Sequence, residues 1–429
     1  MELKKYKLGD IAEIIVSSID KKSKEGEEPI KLCNFVNVYH NWAISTDMVQ
    51  GFMNATTSEK NIERFSLRKG YVAFTKDSET RDDIGIPTYI ADSLENTVLG
   101  YHCALVKPNE KILSGKYLNA FLHSNYIKKY FELNATGSGM RYTLSMDTLN
   151  NIPVLIPSLK IQKRIGGIFS DIDCKISLNR AINHNLEAMA KQLYDYWFVQ
   201  FDFPNEEGKP YKSSGGKMVW NGKLNREMPE GWGVEKIKDI ANTYSGGTPK
   251  STEMEYYENG NIPWINSGEL NKPIITNTSN FITQSGLDNS SAKLYPSNAI
   301  LIALYGATAG KVSLLSFEAC SNQAICGIIL NDSVMLDYTR LYLSSLYEHF
   351  ITLSTGSARD NISQDTVKNT NVIMPQKEVL VSFNQIIRKT TEMLVKNLVE
   401  ITSLTKQRDE LLPLLMNGQV SVNYDLSHD

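Results

Sequence analysis

The sequence is poor in residues that carry metal, redox or disulfide chemistry. Its 429 residues include six histidines and only five cysteines, at positions 33, 103, 174, 320 and 326. No two cysteines form a C-x-x-C pair, and the histidines show no ligand spacing. We therefore expect reduced, buried thiols in a cytoplasmic protein and no metal site.

Long apolar runs are also missing. No stretch of about 18 apolar residues occurs, so no membrane helix and no membrane partner are predicted. The opening MELKKYKLGD lacks the apolar core of a signal peptide. Hydrophobic residues make up 41% and charged residues 22% of the chain, which is typical of a soluble protein with two or three domains.

An excess of positive charge is absent too. The net charge is −3, and the sequence pI is about 6.1. Residues 1–157 carry 19 basic and 19 acidic side chains, and residues 232–375 carry 9 and 13. A DNA-binding surface would have to be concentrated on one face of a domain.

No motif for nucleotide binding or methyl transfer is present. GATAGKV at 306–312 resembles a phosphate-binding loop, but its first glycine lies one residue too close to the Gly-Lys pair. Val312 also replaces the hydroxyl that would reach Mg²⁺. The chain has no Pro-Pro pair, which a methyltransferase acting on a base amino group would carry. We therefore expect a recognition or scaffold protein rather than an enzyme.

What the sequence does contain is a long internal repeat. RYTLSMDTLNNIPVLIP at 141–157 matches RDNISQDTVKNTNVIMP at 359–375 without a gap, at an offset of 359 − 141 = 218. The letters TGS stand shortly before both copies, and LGDIAEI near the start resembles IKDIANT at 237–243. The repeat predicts two similar heads, related by a pseudo-two-fold duplication.

A long helix with coiled-coil spacing is predicted after each copy. Counting every seventh residue from Ile165 and from Phe383 gives five positions in each helix that would lie along the helix–helix seam. The middle one of the five is asparagine both times, Asn179 and Asn397. We predict that Asn179 and Asn397 lie in one helix–helix seam, where a polar residue fixes register. The alternative is that one or both face solvent. Helices of about 38 residues would form a rigid spacer of about 57 Å.

The fold class predicted is α/β (α+β), with two mixed α/β heads. Apolar runs of strand length, interrupted by Gly and Ala, support this class in each head. The predicted ranges are 1–157 for the first head, 158–200 for the central helix, 201–231 for a linker, 232–375 for the second head, 376–418 for the C-terminal helix and 419–429 for a tail.

Three segments carry a resemblance to a known family. LEAMAKQLYDYWFVQFDFP at 186–204, SGGTPK at 245–250 and IPWI at 262–265 resemble the specificity (S) subunit of type I restriction–modification systems. The likeness covers essentially the full length. It implies two target-recognition domains, each reading half of a bipartite, asymmetric DNA sequence, joined by two antiparallel helices. In the first head VSSIDKKSKEGEEPI at 16–30 replaces SGGTPK, so matching does not place its DNA loop.

The resemblance also implies partners. They are double-stranded DNA, two methyltransferase (M) subunits and restriction (R) subunits that translocate and cut DNA. S-adenosylmethionine, ATP and Mg²⁺ would then belong to the partner subunits, and no cofactor to this chain. The alternative is a coiled-coil scaffold that joins two protein-binding heads, which the neutral to acidic heads favour. An unrecognised enzyme such as a nuclease is a further alternative.

DNA contacts are predicted in loops, from side chains that suit base edges or phosphates. In the second head they are Gly247, Thr248, Lys250, Trp264, Asn266, Tyr305, Thr308, Lys311, Asn322, Gln323 and Arg359. In the first head they are Trp42, Lys76, Arg81, His102 and Arg141. The two arginines of the repeat have a structural alternative, an ion pair with Asp147 or Asp365, and Trp264 has a core position as its alternative.

The central aromatic segment is predicted to belong to the partner interface, together with the two spacer asparagines. Its residues are Tyr194, Tyr196, Trp197 and Phe198, at the point where the first long helix ends. Aromatic side chains are enriched in protein interfaces. The alternative is that they pack under the second head.

Overall fold

The computed structural model describes residues 2–138, 141–354 and 361–419. These residues form two compact units, one made of 2–178 with 401–419 and the other of 179–400. The two long helices are α7, Leu159–Tyr194, and α13, Lys377–Met416. The unit boundaries fall within both helices, so each unit contains one head and a part of each long helix.

The first head consists of short strands and short helices. Its strands are β1 Lys4–Lys7, β2 Ala12–Val16, β3 Glu28–Cys33, β4 Ala43–Ile44, β5 Met53–Thr57, β6 Val72–Thr75, β7 Asp77–Ser78, β8 Pro87–Ile90, β9 Thr97–Leu99, β10 Cys103–Pro108, β11 Thr136–Ser138, β12 Arg141–Thr143 and β13 Pro153–Ile156. Its helices are α1 Leu8–Ile11, α2 Phe35–His40, α3 Glu59–Phe65, α4 Gly115–Leu122, α5 Asn125–Asn134 and α6 Met146–Asn150.

The second head follows a linker hairpin of β14, Met218–Asn221, and β15, Arg226–Pro229. Its strands are β16 Gly233–Lys236, β17 Ala241–Ser245, β18 Ile262–Ile265, β19 Ile274–Ile275, β20 Phe281–Ile282, β21 Ile300–Ala303, β22 Val312–Leu315, β23 Cys320–Ser321, β24 Ile325–Leu330 and β25 Asn371–Met374. Its helices are α8 Ile237–Ile240, α9 Gln284–Asp288, α10 Leu336–Ser345, α11 Tyr347–Ser354 and α12 Gln364–Asn369.

The two heads share three sheets of the same topology, and the first head has one further described sheet, β11-β12-β7. Each has a five-stranded sheet, in the order β2-β10-β6-β8-β4 in the first head and β17-β24-β21-β22-β19 in the second. Each also has a three-stranded sheet, β5-β3-β9 or β20-β18-β23, and a two-stranded pair, β1-β13 or β16-β25. In both five-stranded sheets the last strand pairs in parallel with its neighbour. The duplication predicted from the repeat is therefore confirmed in three dimensions.

The repeated phrase builds the same local structure twice. Ser145 accepts a hydrogen bond of 3.0 Å from the backbone amide of Thr148, and Ser363 accepts one of 3.0 Å from that of Thr366. Each serine thereby caps the N-terminus of a short helix, α6 or α12, by satisfying a free amide. The strand after each helix, β13 or β25, then pairs with the opening strand of its head.

The cores of the heads continue onto the long helices. In the first unit, Phe169 of α7 and Leu415 of α13 belong to the same buried cluster as the sheet. In the second unit, Trp197, just beyond α7, and Phe383 of α13 do the same. No helix in the described residues has an apolar stretch long enough to span a membrane.

Polar residues interrupt the helix–helix seam of the second unit, where the helices are antiparallel. Asn179 donates a hydrogen bond of 2.9 Å to Glu400, and Asn397 donates one of 2.9 Å to Asn183. Asn179 is only 6% exposed. Both predicted asparagines thus lie in the seam rather than in solvent, although each bonds to a residue other than its counterpart in the repeat.

Candidate nucleic-acid interface

Four of the five DNA contacts predicted in the first head lie close together, three of them around the carboxylate of Asp77. Lys76 Nζ lies 3.0 Å from Asp77 Oδ1, and His102 Nδ1 lies 2.5 Å from Asp77 Oδ2. Arg141 Nη2 lies 2.7 Å from His102 Nδ1 and 3.1 Å from His102 Nε2. The strands hold these residues together, because Asp77 of β7 is the register partner of Thr143 of β12.

Exposed groups complete this site. The guanidinium of Arg81 lies 5.0 Å from the centroid of the Tyr142 ring, and Arg141 Nη2 donates a 3.3 Å hydrogen bond to the hydroxyl of Tyr101. The Arg141 side chain is 59% exposed, so it is accessible to a ligand. We call Lys76, Arg81, His102 and Arg141 the basic cluster.

The carboxylate of Asp77 is ionised in this environment. Burial alone would raise its pKa, but hydrogen bonds from Thr143, His102 and Lys76 outweigh burial and lower the pKa below its ordinary value. The Asp77 side chain is only 11% exposed. Asp77 therefore contacts the basic cluster from the interior of the head, while Arg141 lies at the surface.

The alternative ion pair for the repeat arginine is not the one observed. The nearest anionic partner of Arg141 is Asp77, with Nη2 3.7 Å from Oδ2, whereas the Asp147 carboxylate accepts a hydrogen bond of 2.9 Å from Asn151. Arg359, the counterpart in the second head, lies outside the described residues.

Trp42 does not join the basic cluster. Its ring stacks on His123 with centroids 4.0 Å apart and planes 5° apart. It also packs against Phe169 of α7 and lies 5.0 Å from the guanidinium of Arg408 of α13. The ring of Trp42 thus packs against both long helices, apart from the basic cluster, and its contact with DNA stays a prediction.

The second head gathers polar, mostly uncharged side chains. Thr248 donates its hydroxyl to the side-chain oxygen of Gln323, and Asn322 donates a 3.3 Å hydrogen bond to the side-chain oxygen of Asn266. Thr248 and Gln323 are exposed. We call these four residues the amide cluster. Paired amide donors and acceptors suit base edges, adenine in particular.

The SGGTPK turn packs closely against neighbouring loops. A Cβ atom at Gly247 would lie 2.2 Å from the backbone nitrogen of Ala292, so only glycine fits there. Trp264 donates from Nε1 to the carbonyl of Gly247 at 3.0 Å. Trp264 therefore supports the turn rather than lying wholly in the core. Lys250 stays 71% exposed and pairs with Glu253.

The GATAGKV segment is a hairpin loop. It joins β21 and β22, which are antiparallel, whereas a phosphate-binding loop joins a strand to a helix. Thr308 donates a 2.8 Å hydrogen bond to the carbonyl of Ser267, and Tyr305 forms a β-bridge with Asn361. Lys311 is half-buried at the end of this loop.

The aromatic segment corrects a prediction. Three of its four residues, Tyr194, Trp197 and Phe198, are no more than 4% exposed. The Phe198 ring lies 4.6 Å from that of Tyr338 in the second head. These three residues cannot form a partner surface, and the alternative of packing under the second head is correct for them. Tyr196, at 37% exposed, remains available.

Several residues of these sites escaped sequence reasoning. Asp77 and Tyr101 belong to the basic cluster's surroundings, and Asn183 belongs to the seam. Asn183 lies four residues after Asn179, one helical turn along the same face, and that spacing could have revealed it. Nothing in the sequence marked Asp77, because its role arises from strand pairing across 66 residues, from Asp77 to Thr143.

Burial makes most of the thiols unreactive. Cys33, Cys103, Cys320 and Cys326 are buried, while Cys174 is exposed. Burial raises the pKa of Cys320 and Cys326 to about 12, so both stay protonated. Within 2–138, 141–354 and 361–419, no three His, Cys, Asp or Glu side chains are arranged to hold a metal ion.

Comparisons with known proteins agree with a two-headed DNA-recognition architecture. The family model "Type I restriction modification DNA specificity domain" matches residues 1–188 and 229–411. The HindI specificity subunit of Haemophilus influenzae is 26% identical over 408 residues, covering 83% of this chain and 87% of that one. The MjaIX specificity subunit of Methanocaldococcus jannaschii is 26% identical over 404 residues, covering 92% and 86%.

A solved structure supports the fold. The crystal structure of a type I restriction–modification S subunit from M. genitalium has a TM-score of 0.62 at 14% identity, covering 96% of each chain. The chain belongs to the type I restriction–modification specificity-subunit family, because the family model covers both heads and most of both long helices. It is a non-catalytic, DNA sequence-recognition subunit, and the catalytic activities of such systems lie in other subunits.

Proposed function

We propose that each head reads one half of a bipartite, asymmetric DNA target. The observation that carries this proposal is the shared topology of two heads whose candidate surfaces differ in chemistry. The basic cluster supplies charged donors in the first head, and the amide cluster supplies uncharged donors and acceptors in the second. Heads with one frame and different side chains suit two half-sites of different sequence.

The proposal extends to the methyltransferase subunits, which we expect to dock on the long helices. In the second unit an open groove of about 860 Å³ is lined by residues 188–193 and 195–196 at the end of α7 and by Ile386, Ile387 and Thr390 of α13. Met189, Tyr196 and Ile386 are 62%, 37% and 49% exposed there. An exposed apolar strip on an otherwise charged helix pair is the kind of surface that a protein partner covers.

The chemistry would then be divided between subunits. S-adenosylmethionine, ATP and Mg²⁺ are assigned to methyltransferase and restriction partners, and this chain supplies sequence recognition and spacing. Such an assembly works on chromosomal and invading DNA, in the cytoplasm. Two methyltransferase subunits per chain are expected, since the duplication offers each of them a similar surface.

Docking is tested by co-expression with the methyltransferase encoded beside this gene. We expect the double variant Tyr196→Glu/Ile386→Glu to lose co-purification, because two charges would be buried at the interface. Trp220→Glu is the matched control, since Trp220 is 64% exposed on the linker hairpin and does not line the groove. Full retention of the partner by the double variant would rule out this groove.

DNA reading is tested by sequencing the methylated sites of cells that carry the complex. The expected result is a single motif with two specific parts separated by unspecified bases. A continuous motif, or none with an intact complex, would contradict the proposal.

A further inference from the structure

Next to the repeated phrase, the two heads have the same pattern of backbone hydrogen bonds, which we call the shared frame. In the first head the amide of Lys76 donates to the carbonyl of His102 at 2.8 Å. In the second head the amide of Leu304 donates to the carbonyl of Ala324, also at 2.8 Å. Lys76 and Leu304 therefore occupy equivalent positions, and so do His102 and Ala324.

The next residue along each strand is equivalent as well. Asp77 pairs with Thr143 in antiparallel register, and Tyr305 forms an antiparallel bridge with Asn361. Thr143 and Asn361 stand at the repeat offset, 361 − 143 = 218. The frame is thus the same, but the ionic set of lysine, aspartate and histidine in the first head is replaced by leucine, tyrosine and alanine in the second.

The ionic set of the first head converges on one exposed group. His102 Nδ1 lies 2.5 Å from Asp77 Oδ2 and donates to that carboxylate, which leaves Nε2 as the ring acceptor, 3.1 Å from Arg141 Nη2. The side chains of Asp77, His102 and Arg141 are 11%, 29% and 59% exposed. The chain of contacts therefore runs from a nearly buried carboxylate to an accessible guanidinium.

We propose that Asp77 is a positioning residue that holds Arg141, through His102, in the orientation that binds a DNA phosphate at the first half-site. This inference rests on the proposed DNA-reading function. Phosphate is the expected ligand because the arginine belongs to the phrase that both heads share, and a contact common to two different half-sites carries no sequence information. Tyr101, whose hydroxyl touches Arg141, adds a second donor of the kind found at phosphates.

The proposal predicts an effect opposite in sign to simple electrostatics. Removing a negative charge near DNA should strengthen binding if only net charge matters. If Asp77 positions Arg141, Asp77→Asn should instead weaken binding by several-fold, and Arg141→Ala by roughly tenfold. The double variant should bind no more weakly than Arg141→Ala alone, because Asp77 acts only through that arginine.

The measurement uses the complex with its methyltransferase subunits and a duplex that carries the motif methylated in cells. Affinity is measured from low to moderate salt. The slope of log K against log salt should become shallower by about 1 in Arg141→Ala and should become shallower in Asp77→Asn as well. Asp92→Asn is the matched control. Asp92 lies in the same head, but its carboxylate accepts a hydrogen bond from the backbone amide of Thr46 and not from the basic cluster. We expect its affinity to equal that of the wild type.

Two outcomes overturn the positioning role. One is an Asp77→Asn complex that binds as tightly as the wild type or more tightly, and the other is a double variant whose loss is the product of the single losses. If Asp77→Asn lowers thermal stability, His102→Asn replaces it with the same expected results, because asparagine tolerates the left-handed backbone at φ 69°. Failure of the wild-type complex to prefer the motif would overturn the DNA-reading function itself.

Discussion

The side-chain amide of Asn397 donates a 2.9 Å hydrogen bond to Oδ1 of Asn183 across the antiparallel helices of the second unit. Asn183 is 5% exposed, and its Nδ2 has no hydrogen-bond partner among the described residues. The pair lies in a seam that includes the apolar Leu186 and Leu394. Buried amides in such a seam fix helix register at a cost in stability.

This arrangement predicts different results for single and paired substitutions. Asn397→Leu should lower the free energy of unfolding by about 1–3 kcal/mol, because it leaves the buried Asn183 amide without its partner. Asn183→Leu/Asn397→Leu should recover that loss or exceed the wild type, since both polar groups are removed together. Urea unfolding monitored by circular dichroism measures both. A double variant less stable than the single one would show that the seam cannot accept leucine.

The buried end of the aromatic segment predicts a stability effect. Trp197→Ala should destabilise the second unit by about 3–5 kcal/mol, because a large side chain that is 4% exposed leaves a cavity beside Phe383. Trp220→Ala, at a residue 64% exposed, should change stability by less than about 0.5 kcal/mol. Thermal unfolding compares them, and equal melting temperatures would place Trp197 outside the core.

His123 predicts a pH dependence of stability in the first unit. Burial, with smaller contributions from Arg408 and Lys128, lowers its pKa from 6.5 to about 3. The unfolded chain therefore binds a proton between those values that the folded chain does not, so stability falls as pH decreases below about 6.5. The contribution is at most about 1.4 kcal/mol per pH unit.

His123→Phe keeps an aromatic ring against Trp42 and removes the titration. We expect its melting temperature to fall less than that of the wild type between pH 7 and pH 5. Parallel curves for the two proteins would mean that His123 does not titrate differently on unfolding.

The amide cluster predicts a change in specificity. Gln323→Ala should relax one base position of the second half-site by about 1–3 kcal/mol, because it removes an exposed donor–acceptor pair supported by Thr248. The first half-site should not change. Gln284→Ala is the matched control, since that amide pairs locally with Asp288 on α9. Methylome sequencing gives the recognised motif of the wild type and of both variants. An unaltered motif in the Gln323 variant would mean that Gln323 does not read a base.

The fold was largely predictable because repeats and heptads are local or periodic signals. The phrase at 141–157 and its copy at 359–375 indicated the duplication. The seven-residue spacing, with one asparagine at its middle position in each helix, indicated the seam. Burial was harder to predict, since Trp42 and Trp197 look alike in sequence whether they face a core or a partner. The rings that pack against them, His123 against Trp42 and Phe383 against Trp197, come from segments distant in the chain.

The sequence predicted which loops hold the candidate site residues, but not which of these side chains contact one another. Lys76, Arg81, His102 and Arg141 were each chosen singly. Only strand pairing showed that three of them, Lys76, His102 and Arg141, share the carboxylate of Asp77. The neutral charge of the first head had pointed away from DNA. The structure places three basic side chains around one carboxylate, so a local basic surface is compatible with a balanced total charge.

The central claim is that the two heads read DNA independently, and a chimera tests it most directly. Residues 232–375 are replaced by the same region of a relative that keeps aromatic residues at the positions of Tyr194, Trp197 and Phe198, since these pack under the second head. The methylated sites of cells carrying the chimera and its partner subunits are then sequenced. We predict that one half-site changes while the other half-site and the spacing remain those of the wild type. If both half-sites change together, the heads do not read separately and the claim is wrong.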